Sequence, residues 1–278
     1  MSANSDPGAR RHASGFPFLW GAAAVLLGLL TFNVWLAADL HRQQRRNSFE
    51  RDFWLLCQPG SSPAERETAF LHLASAGHRE WRSAELRGLN FAGVSLPGCN
   101  LQQAVLVRAN LARANLEGAR LSGATLDLAD LTAVNLSQAN LTEARLLQVA
   151  LKGANLRRAN LAAASLEQAQ AENADFSAAD LSDVICLMAN FAGANLQGAN
   201  LSGAKLESAS LKGANLSLAR LDGADLTDAD FTHANWWAAR GLNARQLEHL
   251  KKKFAPTSTA PRELQADYQR WSQASGPR

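Results

Sequence analysis

One short phrase, repeated in steps of five, governs what this chain can fold into. Moving five residues at a time from Phe91 to Phe231 gives 29 positions, and all are Leu or Phe except Ala171 and Cys186. Two residues before each of these centres stands Ala, except at Leu89, Val94, Cys99, Val134, Val149 and Val184. Asn or Asp most often immediately precedes the centre, as in ANLARANLEGA and ADLTDADF. Weaker units at Ala84/Leu86 and Ala234/Trp236 extend the array at each end. A register held over this length is the signature of a repeat architecture.

A period of five fits neither regular element. On an α-helix, steps of five advance by about 140°, so the centres would wrap around the axis and make no single apolar face. A plain strand needs alternation by two. Within each unit, however, the small residue and the centre are two apart and share a side. Short extended pieces joined by turns would turn both inward, and Gly118, Gly153, Gly193 and Gly213 with the recurring Asn and Asp suit such turns. Stacking these coils gives a solenoid with alanine at the corners and leucine along the axis.

The A-N/D-L-x-x units of residues 84–238 resemble the pentapeptide-repeat proteins. The resemblance implies an all-β fold, a right-handed quadrilateral β-helix of four units, or 20 residues, per coil. Seven to eight coils at the strand spacing of about 4.8 Å would make a rod roughly 37 Å long. Residues twenty apart should then stack. Leu101, Leu121, Leu141, Leu161, Leu181, Leu201 and Leu221 would form one unbroken column. Asn115, Asn135, Asn155, Asp175, Asn195 and Asn215 would form a polar ladder that stabilises turns through side-chain bonds to the backbone. Ala171 falls between Leu151 and Phe191, whose larger ring would refill part of the missing volume.

The regions outside the array read differently. After a basic tail (1–15), residues 16–38 carry no charge until Asp39, and at about 1.5 Å per residue this stretch is long enough to cross a hydrocarbon core of about 30 Å. Trp20 and Trp35 sit near its ends. Arg10 and Arg11 precede it, whereas Arg42, Arg45, Arg46 and Arg51 follow, so the positive-inside rule places the solenoid on the cytoplasmic side of a single-pass anchor. A cleaved signal peptide ending near Ala38 is the alternative. Residues 39–83 form a linker in which Ser62-Pro63-Ala64-Glu65 starts a capping helix bearing Ala69, Phe70, Leu73 and Ala74, with Gly77 to end it. Beyond the solenoid domain (84–240), residues 241–278 are expected to provide a second capping helix with Leu242, Leu247, Leu250 and Phe254, then a flexible tail with at most a marginal helix around Leu264 to Trp271.

No catalytic constellation emerges, so a non-enzymatic protein with no cofactor and no metal is expected. The six histidines are scattered and the three cysteines do not cluster, while Cys186 takes a core position. The side centred on Leu106, Leu126, Leu146, Leu166, Cys186, Leu206 and Leu226 departs from a polar exterior through Val105, Val107, Leu128, Leu147, Ile185, Leu187 and Met188. Such an apolar strip is the candidate contact with an unidentified protein partner, unless a bulge around VICLM turns Ile185 or Leu187 inward or a terminal segment covers it. The expected partners are thus the lipid bilayer through residues 16–38 and an unidentified protein, with a homodimer through the solenoid end or the strip as a further option. Nucleic acid is not expected. The competing function is a DNA-mimicking, gyrase-binding protein of the quinolone-resistance type, which other members of the family suggest. Residues 84–240 hold 12 basic and 15 acidic side chains, a net of −3, which is weak for a DNA mimic. The leucine-dominated centres also differ from the phenylalanine-rich pattern of that branch.

Overall fold

A computed structural model describes residues 34–44, 46, 48, 50–52, 54–56 and 61–274. The chain divides into two compact units, Met1–Arg51 and Asp52–Arg278. In the first, the described residues are helical. The expected basic tail, and the expected membrane segment apart from residues 34–38, lie outside the described residues. Among those described, no helix is long and apolar enough to cross a membrane.

The second unit is built on the five-residue phrase. Parallel backbone bridges join residues twenty apart without interruption from Glu80↔Asn100 to Ser210↔Asp230, and the last links Arg220 to Arg240. One unit shows the pattern. Leu161 donates its N–H to the carbonyl of Asp180 in the next coil (2.7 Å), and Asp180 donates back to Ala159 (2.9 Å). Ala163 then donates to Ser182 (2.9 Å), while Ala164 closes a tight turn onto Leu161 (3.0 Å). Each side of the coil therefore contributes a single bridged residue, and the described residues contain isolated bridges and no extended strand. The reason is the unit length: of five residues, two are spent in the turn and two point inward.

The second residue after each centre from Leu86 to Phe231 adopts positive φ, the left-handed region. Glycine occupies it freely at Gly203 (φ 71°), where an added Cβ would also meet the Asp183 carboxylate of the coil above. Elsewhere Arg108, Gln148 and Ala163 hold the same conformation. Such residues ordinarily cost about 1 kcal/mol or more each, so the bonds made by the surrounding coils must outweigh that strain.

The interior follows the repeat. The leucine column from Leu101 to Leu221 is buried throughout, as are the alanines at the corners. Ala171 and Cys186 are fully buried, and Phe191, one coil below Ala171, packs edge-on against Phe176 with centroids 5.6 Å apart. Each buried leucine removes enough apolar surface to contribute about 1.5–3 kcal/mol.

Both ends carry caps. Helix α1 (Pro63–Ser75) starts at a complete capping box between Ser62 and Glu65, and it buries Ala69, Phe70 and Leu73. The Phe70 ring lies 4.2 Å from both Trp81 and Phe91, which closes the first coil. Asp52, itself buried, is bonded to His72 on this helix. At the other end Trp236–Ala238 forms a 3-10 turn that buries both tryptophans. Helix α2 (Ala244–Phe254) begins at an Asn243/Gln246 capping box and buries Leu250. Where the sequence suggests a tail with a marginal helix, residues Arg262–Ala274 form helix α3. Tyr268 and Trp271 on its inner side pack within 6 Å of Trp236, and Asp267 accepts the Trp237 indole N–H at 2.9 Å. That aromatic anchorage supplies what the polar composition of residues 255–274 conceals.

Candidate interaction surface

The outside of the solenoid is set by position within the unit. The residue before each centre and the two after it face solvent, so every side of the rod carries three outward columns. On the side whose centres run from Leu116 to Trp236, the column before the centre, Asn115 to Asn235, is the polar ladder. Asn135 donates to Asn115 (2.9 Å), Asn155 to Asn135 (3.0 Å), Asn195 to Asp175 (3.1 Å) and Asn215 to Asn195 (3.2 Å). Each Oδ1 also accepts the amide two residues on, as with Arg157 N to Asn155 (3.2 Å), forming an Asx-type corner. The ladder is interrupted between Asn155 and Asp175, because a carboxylate has no N–H to donate upward. Arg157 pairs with Asp175 instead (3.2 Å). Burial alone would raise the Asp175 pKa, but the hydrogen bond from the Ser177 amide and the Arg157 guanidinium outweigh it and hold it below the ordinary value.

The apolar side is arranged differently from a continuous strip. Val105, Val107, Leu147, Ile185 and Leu187 are half-buried, whereas Leu128 and Met188 are 42% and 56% exposed. No bulge turns the VICLM segment inward. Ile185 donates to Ala164 (2.9 Å) and Cys186 to Lys205 (2.8 Å), so the register passes through unchanged with Cys186 in the core. Read down the column just after the centres, however, the residues are Val107, Asp127, Leu147, Glu167, Leu187 and Glu207. Acids therefore alternate with the apolar side chains. Asp127 pairs with Arg145 and accepts the Leu147 amide at 3.2 Å, and Glu167 accepts the Ser165 hydroxyl at 3.2 Å. The structure thus groups Val105, Val107, Leu128 and Leu147 on neighbouring coils, and Ile185, Leu187 and Met188 on a single coil further down. Two clusters set among charged groups replace the single strip.

Both exposed members occupy the strained corner, Leu128 with φ 60° and Met188 with φ 56°. Leu218, on the ladder side, shares this position (φ 62°) and is 53% exposed, a third outward hydrophobe that reading one side in isolation overlooks.

Chemically reactive groups are muted. Burial pushes the Cys99 thiol up to about 12, and burial also pushes the Cys186 thiol upward, so neither offers a thiolate near neutral pH. Among the described residues, no group of His, Cys, Asp and Glu is placed to hold a metal ion. A cleft of about 500 Å³ opens at the C-terminal rim, between residues 223–228 and helix α2, with Asn243, Arg245, Gln246 and His249 on its far wall. It depends on where the array stops, so the repeat pattern gives no sign of it.

Twenty-residue bridging by five-residue units is the geometry that a family match has to explain. The model of the pentapeptide repeats matches in overlapping copies between residues 84 and 235. This chain belongs to the pentapeptide-repeat family. Among solved structures, QnrB1, a plasmid-mediated fluoroquinolone resistance protein, is similar at 20% identity, covering 60% of this chain and 83% of its own, with a TM-score of 0.39. A pentapeptide repeat protein of the Arabidopsis thaliana thylakoid lumen is similar at 24% identity, over 42% of this chain and 84% of its own, with a TM-score of 0.37. HetL, involved in heterocyst differentiation regulation in the cyanobacterium Nostoc, is similar at 32% identity, over 62% of this chain and 95% of its own, with a TM-score of 0.25. No curated protein matches.

Proposed function

We propose that this pentapeptide-repeat protein is a non-enzymatic scaffold, tethered to a bilayer through residues 16–38, whose rigid solenoid presents the two apolar clusters to a protein partner on the cytoplasmic side. The observation that carries the reading is the placement of Leu128 and Met188. Large apolar side chains stand exposed at corners where glycine would cost no strain, on the same side as Ile185 and Leu187. A closely packed leucine core fixes these outward side chains in space, which lowers the entropy lost on binding. The charged groups within and beside the clusters, Asp127, Arg145, Glu167 and Glu207, would set register and reject unmatched partners.

Two measurements test this. A photo-crosslinking residue placed at Leu128 or Met188 in the native host should give discrete protein adducts, and the same residue at Gln197 on another side should not. Equal adducts from both sides would remove the basis for the assignment. Membrane tethering is tested separately by alkaline extraction: the full chain should stay with the membranes, and a chain lacking residues 16–38 should be released.

A further inference from the structure

We propose that the C-terminal rim of the solenoid, where residues 223–228 face helix α2, is a docking cleft for an extended basic peptide that adds one more rung to the ladder. The reading is independent of the apolar clusters and rests on an interrupted hydrogen-bond register. In the coil above, Leu206 donates to the carbonyl of Asp225 (2.9 Å) and Ser208 to that of Thr227 (2.9 Å). Leu226 and Asp228 occupy the equivalent positions one coil down. Among the described residues neither backbone N–H has an acceptor, because the chain leaves the solenoid near Gly241 and turns into α2.

The third bond of the missing rung is replaced from within. In the coil above, the Asp225 amide bonds to the Ala204 carbonyl (2.9 Å), and at the rim the Gln246 side-chain amide bonds to the Ala224 carbonyl instead (2.8 Å). The rim therefore keeps two donors and no free matching acceptor at this point. Leu226 registers the same gap in the core: from Leu86 to Trp236 it is the one unit centre that is not fully buried. The cleft of about 500 Å³ lies directly against it.

These features specify the ligand. Its backbone must be extended and must offer two carbonyls from residues two apart, as Asp225 and Thr227 do for the coil above. Alternate side chains of an extended segment point to opposite faces, so the residue over Leu226 should be apolar and its two neighbours should face outward. The outward groups at that point are Asp225 and Asp228, with Glu207 one coil above. Glu207 is hydrogen-bonded to Asp225 and repelled by its charge, which raises the Glu207 pKa and marks a local excess of negative charge. Lys205 partly offsets that excess, and Arg245 and His249 lie on the opposite wall. Basic–apolar–basic is the sequence that complements the acidic side.

The probe is the peptide acetyl-Lys-Val-Lys-Thr-Lys-amide, with acetyl-Glu-Val-Glu-Thr-Glu-amide as control, added to the full chain while backbone amide exchange is followed. The lysine peptide should slow exchange at Leu226 and Asp228 by about tenfold or more and leave Leu206 and Ser208, already protected, unchanged. The glutamate peptide should have no effect, and the exposed charge reversal Asp228→Lys should abolish the protection while Leu206 and Ser208 stay slow. Unaltered exchange at Leu226 and Asp228 with the lysine peptide at millimolar concentration would overturn the proposal. So would equal protection by the glutamate peptide, or full protection in Asp228→Lys.

Discussion

The two ends of the solenoid solve the same problem unequally. At the first coil, α1 lays Phe70 across Trp81 and Phe91, and Leu86, Leu89 and Phe91 are all buried beneath it. At the last coil, Trp236 and Trp237 are sealed by α2 and α3 on one side, while Leu226 on another side stays partly open to the cleft. Any solenoid exposes an apolar cross-section at its termini, and repeat proteins cover it with atypical capping segments. The difference shows that sealing the core and pairing the last backbone groups are separate tasks. The first cap achieves closure with packed rings. The second closes the core on one side with rings and imitates a rung on another with a single glutamine side chain.

Substitutions should separate the interior from the ends, and one end from the other. The largest effect is expected at Leu161→Lys, in mid-rod, where an unpaired ammonium would have to enter an apolar core. A loss of at least about 4 kcal/mol is expected, with collapse of the neighbouring coils visible in a circular-dichroism melt. Phe70→Ala should follow, at about 3–5 kcal/mol, and amide exchange should quicken first in the coil that holds Trp81 and Leu86. The pair Leu206→Ala and Leu226→Ala then compares a sealed position with the open one on the same side of the rod. Leu206→Ala should cost about 2–5 kcal/mol by denaturant unfolding, and Leu226→Ala clearly less, because its surroundings are already partly solvated. Equal losses would mean that the C-terminal rim is as closed as the interior.

Much of this architecture is legible in the sequence because every coil restates it. The period of five, the inward leucines and the twenty-residue column from Leu101 to Leu221 can be read directly from Ala84 to Trp236. The Ser62/Glu65 capping box is equally plain, since it depends only on local residue types. What escapes is whatever depends on neighbours far along the chain. The corners at Arg108, Leu128 and Met188 take a left-handed conformation through bonds to the adjacent coils, so glycine alone does not mark them. The apolar side reads as one strip until the stacking register inserts Asp127 and Glu167 between its members. Helix α3 owes its place to the rings of Tyr268 and Trp271 meeting Trp236, a long-range contact hidden in a polar stretch. The cleft at Leu226 is defined by the absence of a following unit.

Smaller effects are expected on the polar ladder. Asn155→Ala removes the corner bond to Arg157 and the bond to Asn135, and should cost about 1 kcal/mol in thermal unfolding. Asp175 contributes a pH dependence of known sign. Its folded pKa is depressed, so its stabilising contribution is present above the unfolded value of about 3.9 and is lost as pH falls through the folded value. Asp175→Asn should flatten that part of the acid-unfolding profile and let the amide ladder run through from Asn155 to Asn195.

Distances between spin labels test the twenty-residue stacking most directly. Gln103, Asp183 and Gly223 occupy the same exposed column, with Asp183 four coils and Gly223 six coils below Gln103. At about 4.8 Å per coil, labels at Gln103 and Asp183 should lie roughly 19 Å apart, and moving the second label to Gly223 should add only about 10 Å. A helical rise of about 1.5 Å per residue would put the same forty-residue move at roughly 60 Å. An increment near the smaller figure is what the stacked pentads predict; one near the larger would contradict them.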